Sequence, residues 1–215
     1  IESIGILFTG ITYRNHNRLG GINMSQKSRF ILYGVLAVVL LITYLSKEST
    51  SKPSLPVLGS IPEFQFTDSN GDTIERIDLN DKVWVADFIF TTCTMACPVM
   101  TGNMNLIHKE YRNNEDVRIV SISVYPEYDT PKVLTDYASR YDANTDRWHF
   151  LTGPEEDVKE IILNGFKMGD YEDIIFHSER FALVDKKGQI RGYYNGMQTS
   201  DMKNLKRDMN LLLGD

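Results

Sequence analysis

An apolar run that ends in two cysteines constrains the fold of this chain more than any other feature. Residues 83–90 read VWVADFIF, and Cys93 and Cys97, the two cysteines of the chain, follow before Pro98. Successive apolar positions are typical of a strand that is covered on both faces of a central sheet. Proline is favoured in the first turn of a helix. The sequence therefore predicts paired thiols at the junction between a buried strand and a helix.

Strand and helix signals alternate along the chain beyond residue 60. Residues 117–124 form a second apolar run, and Thr130 followed by Pro131 predicts a helix with threonine at its N-cap. Further strands are predicted at 64–68, 73–77, 148–151, 181–184 and 189–194, and further helices over 98–111, from 154 onward and over 200–213. This order predicts an α/β fold, a thioredoxin-like three-layer sandwich with a mixed central sheet.

The charge of the chain is divided unevenly along its length. Of the 23 basic and 29 acidic residues, residues 1–50 carry five basic and two acidic ones. The remaining 18 basic and 27 acidic residues give residues 51–215 a formal balance of −9. Nucleic-acid binding requires clustered positive charge, so this acidic part argues against a nucleic-acid partner.

An uncharged stretch near the start of the chain predicts a single N-terminal transmembrane helix. Residues 30–46 contain no charged side chain, and a spanning helix needs about 17–25 residues. Lys27 and Arg29 precede the stretch, so the positive-inside tendency places the N-terminus in the cytoplasm. A cleaved signal peptide is the alternative, but no small-x-small cleavage site follows Leu45. We expect a single-pass anchor in the inner (cytoplasmic) membrane, with the folded domain on the outer, periplasmic side.

These signals divide the chain into four segments. Residues 1–29 are expected to form a cytoplasmic leader, and residues 30–46 a signal anchor. Met24 reads as a natural start, so we hypothesise that residues 1–23 are an upstream over-extension that is not native, or a poorly ordered leader. Residues 47–59 are polar with two prolines and are expected to be a linker, which leaves residues 60–215 as the thioredoxin-like domain.

The cysteine spacing narrows the chemistry of the thiol pair. A disulfide between Cys93 and Cys97 would close too short a loop to stabilise the fold much. On regular helix the two Cβ atoms would lie about 5–6 Å apart, whereas an unstrained disulfide needs roughly 3.5–4.5 Å. Soft thiolates select Cu(I) or zinc, and two cysteines without a paired-histidine motif fit copper better than a closed zinc site. Cys97 before Pro98 is expected at the helix N-cap, where the dipole favours its thiolate.

Four histidines are candidates for a nitrogen ligand. His16 lies before the predicted anchor, and His108 is expected to point from a helix to solvent. His149 lies within a short predicted strand, where a structural role is expected. His177 precedes the strand predicted at 181–184, at a loop-to-strand junction that a thioredoxin-like fold brings beside its thiols. His177 is therefore the candidate ligand, although an ordinary loop histidine remains an alternative on this reasoning.

At these positions the chain resembles the Sco/SenC family of copper chaperones, which act in cytochrome oxidase assembly. The resemblance covers about residues 61–194, and the most specific motif is DFIFTTCTMACP at 87–98 together with the late His177. The segments SISVYPEYDTP at 121–131, WHFLTG at 148–153 and FALVDKKG at 181–188 support it in order and spacing. The resemblance implies that Cys93, Cys97 and His177 bind copper and that a membrane anchor holds the domain outside the cytoplasm.

One position departs from the family pattern. The family usually has an aspartate where this chain has Tyr125, and that carboxylate is thought to lie near the metal site. The resemblance therefore leaves open how the site is tuned or how a partner docks. Met95, between the cysteines, is a further candidate for contact with metal, whereas Met100 and Met104 are expected to pack in the core.

Two functions use these residues in different ways. As a metallochaperone, the protein would bind copper and deliver it to a copper-receiving subunit of cytochrome c oxidase. As a thiol-disulfide oxidoreductase, it would use Cys93 and Cys97 to reduce the copper-site cysteines of an oxidase subunit, with a thioredoxin-like protein as its own reductant. A thiol peroxidase is a third alternative. Only the metallochaperone needs His177, so this histidine distinguishes the first two functions.

Overall fold

The computed structural model describes residues 25–47, 54–169 and 179–214. The chain divides into two units, Ile1–Lys52 and Pro53–Asp215. In the first unit, helix α1 (Gln26–Lys47) has 22 residues, and at 1.5 Å per residue it is about 33 Å long. Its Gln26–Tyr44 stretch is apolar, has no part buried within the protein and is long enough to cross a membrane. The predicted N-terminal apolar helix is therefore confirmed.

The second unit is built on one eight-stranded mixed sheet. Its spatial order is β1-β8-β7-β4-β5-β6-β2-β3. The central strands β4, β5 and β6 run parallel, and all other neighbours are antiparallel. The strands are β1 (Gly59–Ser60), β2 (Gln65–Asp68), β3 (Thr73–Glu75), β4 (Val83–Ile89), β5 (Val117–Ser123), β6 (Trp148–Thr152), β7 (Arg180–Val184) and β8 (Gln189–Asn195).

Helices cover both faces of the sheet. The helices of this unit are α2 (Ala96–Glu110), α3 (Pro131–Ser139), α4 (Glu155–Glu160) and α5 (Thr199–Leu213), with a short 3-10 helix at Arg76–Leu79 and a π-helical turn at Ile161–Gly165. One core cluster contains side chains of α2, α3 and α5, and the other contains side chains of α4 and the π-helical turn. The predicted three-layer sandwich with a mixed sheet is confirmed.

Strand β4 lies at the centre of both cores. Its residues alternate between the two clusters, with Val85 and Ile89 on the α2 side and Trp84 and Phe88 on the opposite side. Every residue of β4 is buried. By this alternation Asp87 lies on the same face as Val85 and Ile89, the face that α2 covers.

The N-terminal half of α3 is formed as the sequence predicts. Thr130 is the N-cap and its hydroxyl accepts a hydrogen bond from the Val133 backbone N–H, while Pro131 is the first helical residue. Leu134 and Tyr137 are the buried residues that join α3 to the core. The start of α3 is therefore fixed both by local capping and by packing against the sheet.

Two local expectations about α2 are wrong. The helix begins at Ala96 with Met95 at the N-cap, so Cys97 lies within the first turn rather than at the N-cap. His108 does not face solvent: it is 7% exposed, its Nε2 accepts a hydrogen bond from the Asn144 backbone N–H, and its ring lies 5.5 Å from that of Trp148. The buried face of α2 is wide enough to include His108 beside Ile107, because the sheet and the following loops cover it together.

Candidate metal centre

The two thiols lie at the edge of the sheet where β4 and β5 end. These strands are parallel and paired through Ile89 and Ser123, so the loops that follow them emerge at the same edge. After β4 the backbone turns sharply, and the Cys93 N–H donates a 3.1 Å hydrogen bond to the carbonyl oxygen of Phe90. The turn leads directly into the first turn of α2, which carries Cys97. A strand, a tight turn and a helix start therefore bring the two thiols together.

The two thiols are free and differ in exposure. Cys93 is partly exposed, and Cys97 is 6% exposed. The side chains are close enough to hydrogen-bond to each other, and this contact favours the thiolate on Cys93 over that on Cys97. The predicted place of the two cysteines, at the junction between a buried strand and a helix, is confirmed, with Cys93 partly exposed and Cys97 buried.

The surroundings of Cys93 favour its thiolate. Partial burial by itself raises the pKa of Cys93, but hydrogen bonds from the backbone N–H groups of Cys97, Met95 and Ala96 and from the Cys97 thiol outweigh burial. The net result is a pKa below the ordinary value of a cysteine. These N–H groups belong to the start of α2, where backbone donors have no partners within the helix.

The surroundings of Cys97 favour its neutral thiol. Burial raises the pKa of Cys97 to about 12. A backbone hydrogen bond from Phe90 opposes this rise, while contact with Cys93 and the charge of Asp87 add to it. The pair therefore consists of a partly exposed thiol with a lowered pKa and a buried thiol with a raised pKa.

A buried carboxyl group lies behind the thiol pair. Asp87 is fully buried, and its Oδ1 accepts a 2.6 Å hydrogen bond from the Ser121 hydroxyl. The Ser121 oxygen in turn accepts a 2.9 Å hydrogen bond from the Trp148 indole N–H. Asp87 Oδ2 has no hydrogen-bond partner among the described residues. Burial raises the pKa of Asp87 to about 7, although the Ser121 hydrogen bond opposes the rise.

Asp87 is a part of the site that was not predicted from the sequence. The signal was present, because Asp87 is the one charged residue in the run at 83–90. A carboxyl group inside a strand that is apolar on both sides has a large desolvation cost, which marks it as a candidate functional residue.

Two of the four candidate histidines, His16 and His177, lie outside the described residues, so the placement of His177 stays a prediction. His149 lies in β6, with its Nδ1 3.7 Å from Asp68 Oδ2, which agrees with the structural role expected for it. Within the described ranges, no group of three or more histidine, cysteine or acidic residues is arranged to hold a metal ion.

The other side chains of the loops differ in exposure. Met95 is 80% exposed, whereas Met100 and Met104 are buried in the core as expected. Tyr125, at the position of the family's usual aspartate, is 42% exposed, and its ring stacks on that of Tyr128 with centroids 6.0 Å apart. Two stacked aromatic rings therefore replace the expected carboxylate on this loop.

Comparison with known proteins agrees with this fold. The family model described as SCO1/SenC matches residues 58–210, most of the second unit. This chain belongs to the SCO1/SenC family. The predicted resemblance is confirmed, and it extends beyond the residues that carried the motifs.

Three similar proteins illustrate the family membership. The SCO1 protein homolog of Bacillus subtilis (strain 168) is 36% identical over 160 residues, covering 72% of this chain and 83% of its own length. A protein of Stutzerimonas stutzeri whose name connects it with copper binding is 28% identical, covering 65% of this chain and 71% of its own length. The solved structure of BsSco, described as a cytochrome c oxidase assembly protein with a disulfide switch, is 34% identical with a TM-score of 0.65, covering 74% of this chain and 96% of that one.

Proposed function

We propose that this SCO1/SenC protein is a membrane-anchored copper metallochaperone that delivers copper to cytochrome c oxidase during assembly. The observation that carries the proposal is the pair of free thiols, within hydrogen-bonding reach of each other, of which Cys93 is partly exposed. Family membership and the copper-binding relative from Stutzerimonas stutzeri support copper as the ion. The description of BsSco as an oxidase assembly protein supports a copper-receiving oxidase subunit as the partner.

The chemistry of the donors fits copper. Thiolate sulfur is a soft ligand and selects Cu(I) over harder ions. Cys93 ionises first because its pKa is lowered, and Cys97 must lose its proton when the metal binds. His177 is the proposed third ligand, and a neutral imidazole suits copper together with two sulfurs. Because Cys93 is partly exposed, a thiol of a partner protein is able to approach the metal and exchange for it.

The proposed location follows from α1 and the segments around it. Lys27 and Arg29 lie at the start of the apolar helix, which supports a cytoplasmic N-terminus. On this proposal residues 1–29 are the cytoplasmic leader, 30–46 the anchor in the inner membrane, 47–59 the linker and 60–215 the copper-binding domain on the outer side. The linker allows the domain to reach a recipient that is embedded in the same membrane.

The unequal acidity of the thiols also supports a thiol-disulfide oxidoreductase as the second candidate. The Cys93 thiolate would attack a disulfide of the oxidase subunit and release one of its cysteines as a thiol. Cys97 would then lose its proton and attack Cys93 in the mixed disulfide, which releases the second thiol. The partner gains two electrons, and this protein leaves as the Cys93–Cys97 disulfide for a thioredoxin-like reductant. The disulfide switch described for BsSco favours this candidate.

Anaerobic Cu(I) titration of the reduced full chain in detergent micelles tests the proposal. We expect one copper per chain, with tight binding lost in Cys93→Ser and in His177→Ala. His149→Gln is the matched control, because His149 lies in β6 beside Asp68 and is not a proposed ligand. We expect this variant to bind copper as the wild type does. If His177→Ala binds copper as tightly as the wild type, the proposed ligand set is wrong and the oxidoreductase becomes the better candidate.

A further inference from the structure

One buried carboxylate joins the loop that carries Cys93 to the loop that follows β5. Asp129 lies between β5 and α3 and is fully buried. Its Oδ1 accepts a 2.5 Å hydrogen bond from the Thr91 hydroxyl, and its Oδ2 accepts a 3.1 Å hydrogen bond from the Thr91 backbone N–H. Oδ2 also accepts a 2.6 Å hydrogen bond from the Ser123 hydroxyl. Both carboxylate oxygens therefore hold the chain just beyond the ends of two neighbouring strands.

The segment that Asp129 holds is the one on which both thiols depend. Thr91 follows Phe90, whose carbonyl oxygen accepts the Cys93 N–H, and whose own backbone hydrogen-bonds to the Cys97 sulfur. A shift of Thr91 therefore moves the Phe90 backbone, which contacts the Cys93 N–H and the Cys97 sulfur. On the other side of Phe90, Ile89 is fixed by a 2.8 Å hydrogen bond from the Val124 N–H to its carbonyl oxygen. Asp129 is the side chain that fixes the thiol side of this turn.

Asp129 is itself held in a fixed position. Its backbone N–H donates a 3.0 Å hydrogen bond to the carbonyl oxygen of Tyr125. The next residue, Thr130, is the N-cap of α3, and α3 packs into the core through Leu134 and Tyr137. Asp129 is thus attached to a helix that the core orients. A rigid support of this kind reduces the conformational entropy that the thiol loop loses when it binds a ligand.

We propose that Asp129 is a positioning residue for the thiol pair, which sets the separation and reactivity of Cys93 and Cys97 by fixing Thr91. The separation matters because a disulfide requires Cβ atoms roughly 3.5–4.5 Å apart. The separation at which the loop is held therefore sets the equilibrium between the dithiol and the disulfide. If the proposed function is correct, the same hydrogen bonds between Asp129 and Thr91 also determine how tightly the two sulfurs bind copper. The copper-free part of the inference does not depend on that function.

The chain offers matched controls for each substitution. Thr91→Val removes the hydroxyl that donates a hydrogen bond to Asp129, and Thr91→Ser keeps a hydroxyl at this position. Asp185 is a second buried carboxylate that accepts hydrogen bonds from the Lys187 and Gln189 backbone N–H groups and from Arg191. It follows β7, whose Val184 pairs with Trp84, so it lies at the end of the sheet opposite the thiols. Asp185→Asn therefore disturbs a similar carboxylate away from the site.

The experiment compares the full chain in detergent micelles with Thr91→Val, Thr91→Ser, Asp129→Asn and Asp185→Asn. Three properties are measured on each: the alkylation rate of Cys93 in the reduced, copper-free protein, the dithiol–disulfide equilibrium against glutathione, and the thermal midpoint of unfolding. Cu(I) affinity by chelator competition is a fourth. We expect Thr91→Val and Asp129→Asn to change the redox equilibrium constant and the copper affinity about three- to tenfold, which corresponds to one lost hydrogen bond. Thr91→Ser restores wild-type values.

Asp185→Asn decides whether these changes are specific. We expect it to lower the thermal midpoint and to leave the thiol properties as in the wild type. The proposal is overturned if Thr91→Val and Asp129→Asn lower only the thermal midpoint, with wild-type alkylation and redox equilibrium. Thr91→Val gives a result even if Asp129→Asn does not fold. A wild-type protein that binds no copper refutes the proposed function alone, since the copper-free measurements still decide the role of Asp129.

Discussion

Replacing Asp87 by asparagine is expected to change how the stability of this protein depends on pH. Burial raises the pKa of Asp87 from 3.8 to about 7 in the folded protein. The folded protein therefore binds one more proton than the unfolded chain between these two pH values. Because the folded state binds the extra proton, its stability falls as the pH rises through this window.

The magnitude follows from the size of the pKa difference. A difference of about three units, at 1.36 kcal/mol per unit, corresponds to roughly 4 kcal/mol of stability that is present near pH 4 and lost by pH 8. Asp87→Asn removes this dependence because asparagine does not titrate. The asparagine amide adds its own cost, about 1–3 kcal/mol if its N–H₂ group has no partner, but this cost is the same at both pH values. The difference between pH values therefore isolates the ionisation of Asp87.

The assay is urea unfolding of the full chain in detergent micelles at pH 4.5 and at pH 8. Trp84 and Trp148 are the two tryptophans of the chain and both are fully buried, so their fluorescence reports unfolding of the second unit. We expect the wild type to lose roughly 3–4 kcal/mol more stability than Asp87→Asn between the two pH values. The other titrating groups are present in both proteins, and Cys97, whose pKa the Asp87 charge also raises, stays protonated at both pH values because burial is the main cause of its raised pKa. Equal losses in the two proteins would refute the argument that burial controls the Asp87 carboxyl.

Three further outcomes follow from the structure. In the reduced protein Cys93 is expected to react with iodoacetamide at least about tenfold faster than Cys97, measured by mass spectrometry of the labelled peptides, because it is more exposed and its pKa is lowered; equal rates would contradict the described asymmetry. Gly153→Ala is expected to cost about 1–3 kcal/mol in urea unfolding, since a Cβ atom there would lie 2.5 Å from the Phe66 ring. Its control is Gly102→Ala, where a Cβ atom meets nothing within 4 Å. A chain that starts at Pro53 is expected to leave the membrane fraction, whereas the full chain sediments with membranes; retention of the shortened chain would show that α1 is not the sole anchor.

Most of the strands and the place of the thiol pair could be predicted from the sequence because their signals are local. The run at 83–90 gives β4 within one residue, and Thr130 with Pro131 gives the start of α3. Apolar periodicity and capping act over a few residues, so they can be read without knowledge of the tertiary structure. The prediction that Cys93 and Cys97 lie where a buried strand leads into a helix depended only on these local signals.

The features that sequence analysis missed depend on contacts between distant parts of the chain. Asp129 lies 38 residues from Thr91, and no local pattern joins them. His108 was expected at the surface. Its burial depends on contacts with Trp148 and Asn144, which are distant from it along the chain. The first turn of α2 includes Cys97 because the preceding turn is fixed by Phe90, not by a capping side chain. Such contacts are visible only in the folded structure.

The metallochaperone and the oxidoreductase both require the same inequality between the two thiols. Metal transfer needs one thiolate that a partner is able to reach, and disulfide exchange needs one nucleophile and one thiol in reserve. Backbone N–H groups at the start of α2 favour the thiolate of Cys93, which suits it as the reachable ligand or nucleophile. Burial beside Asp87 favours the neutral thiol of Cys97, which suits it as the thiol in reserve. Since the thiol geometry serves both activities equally, the proposed third ligand, His177, is what would distinguish them. The copper affinity of His177→Ala is therefore the measurement that separates the two functions.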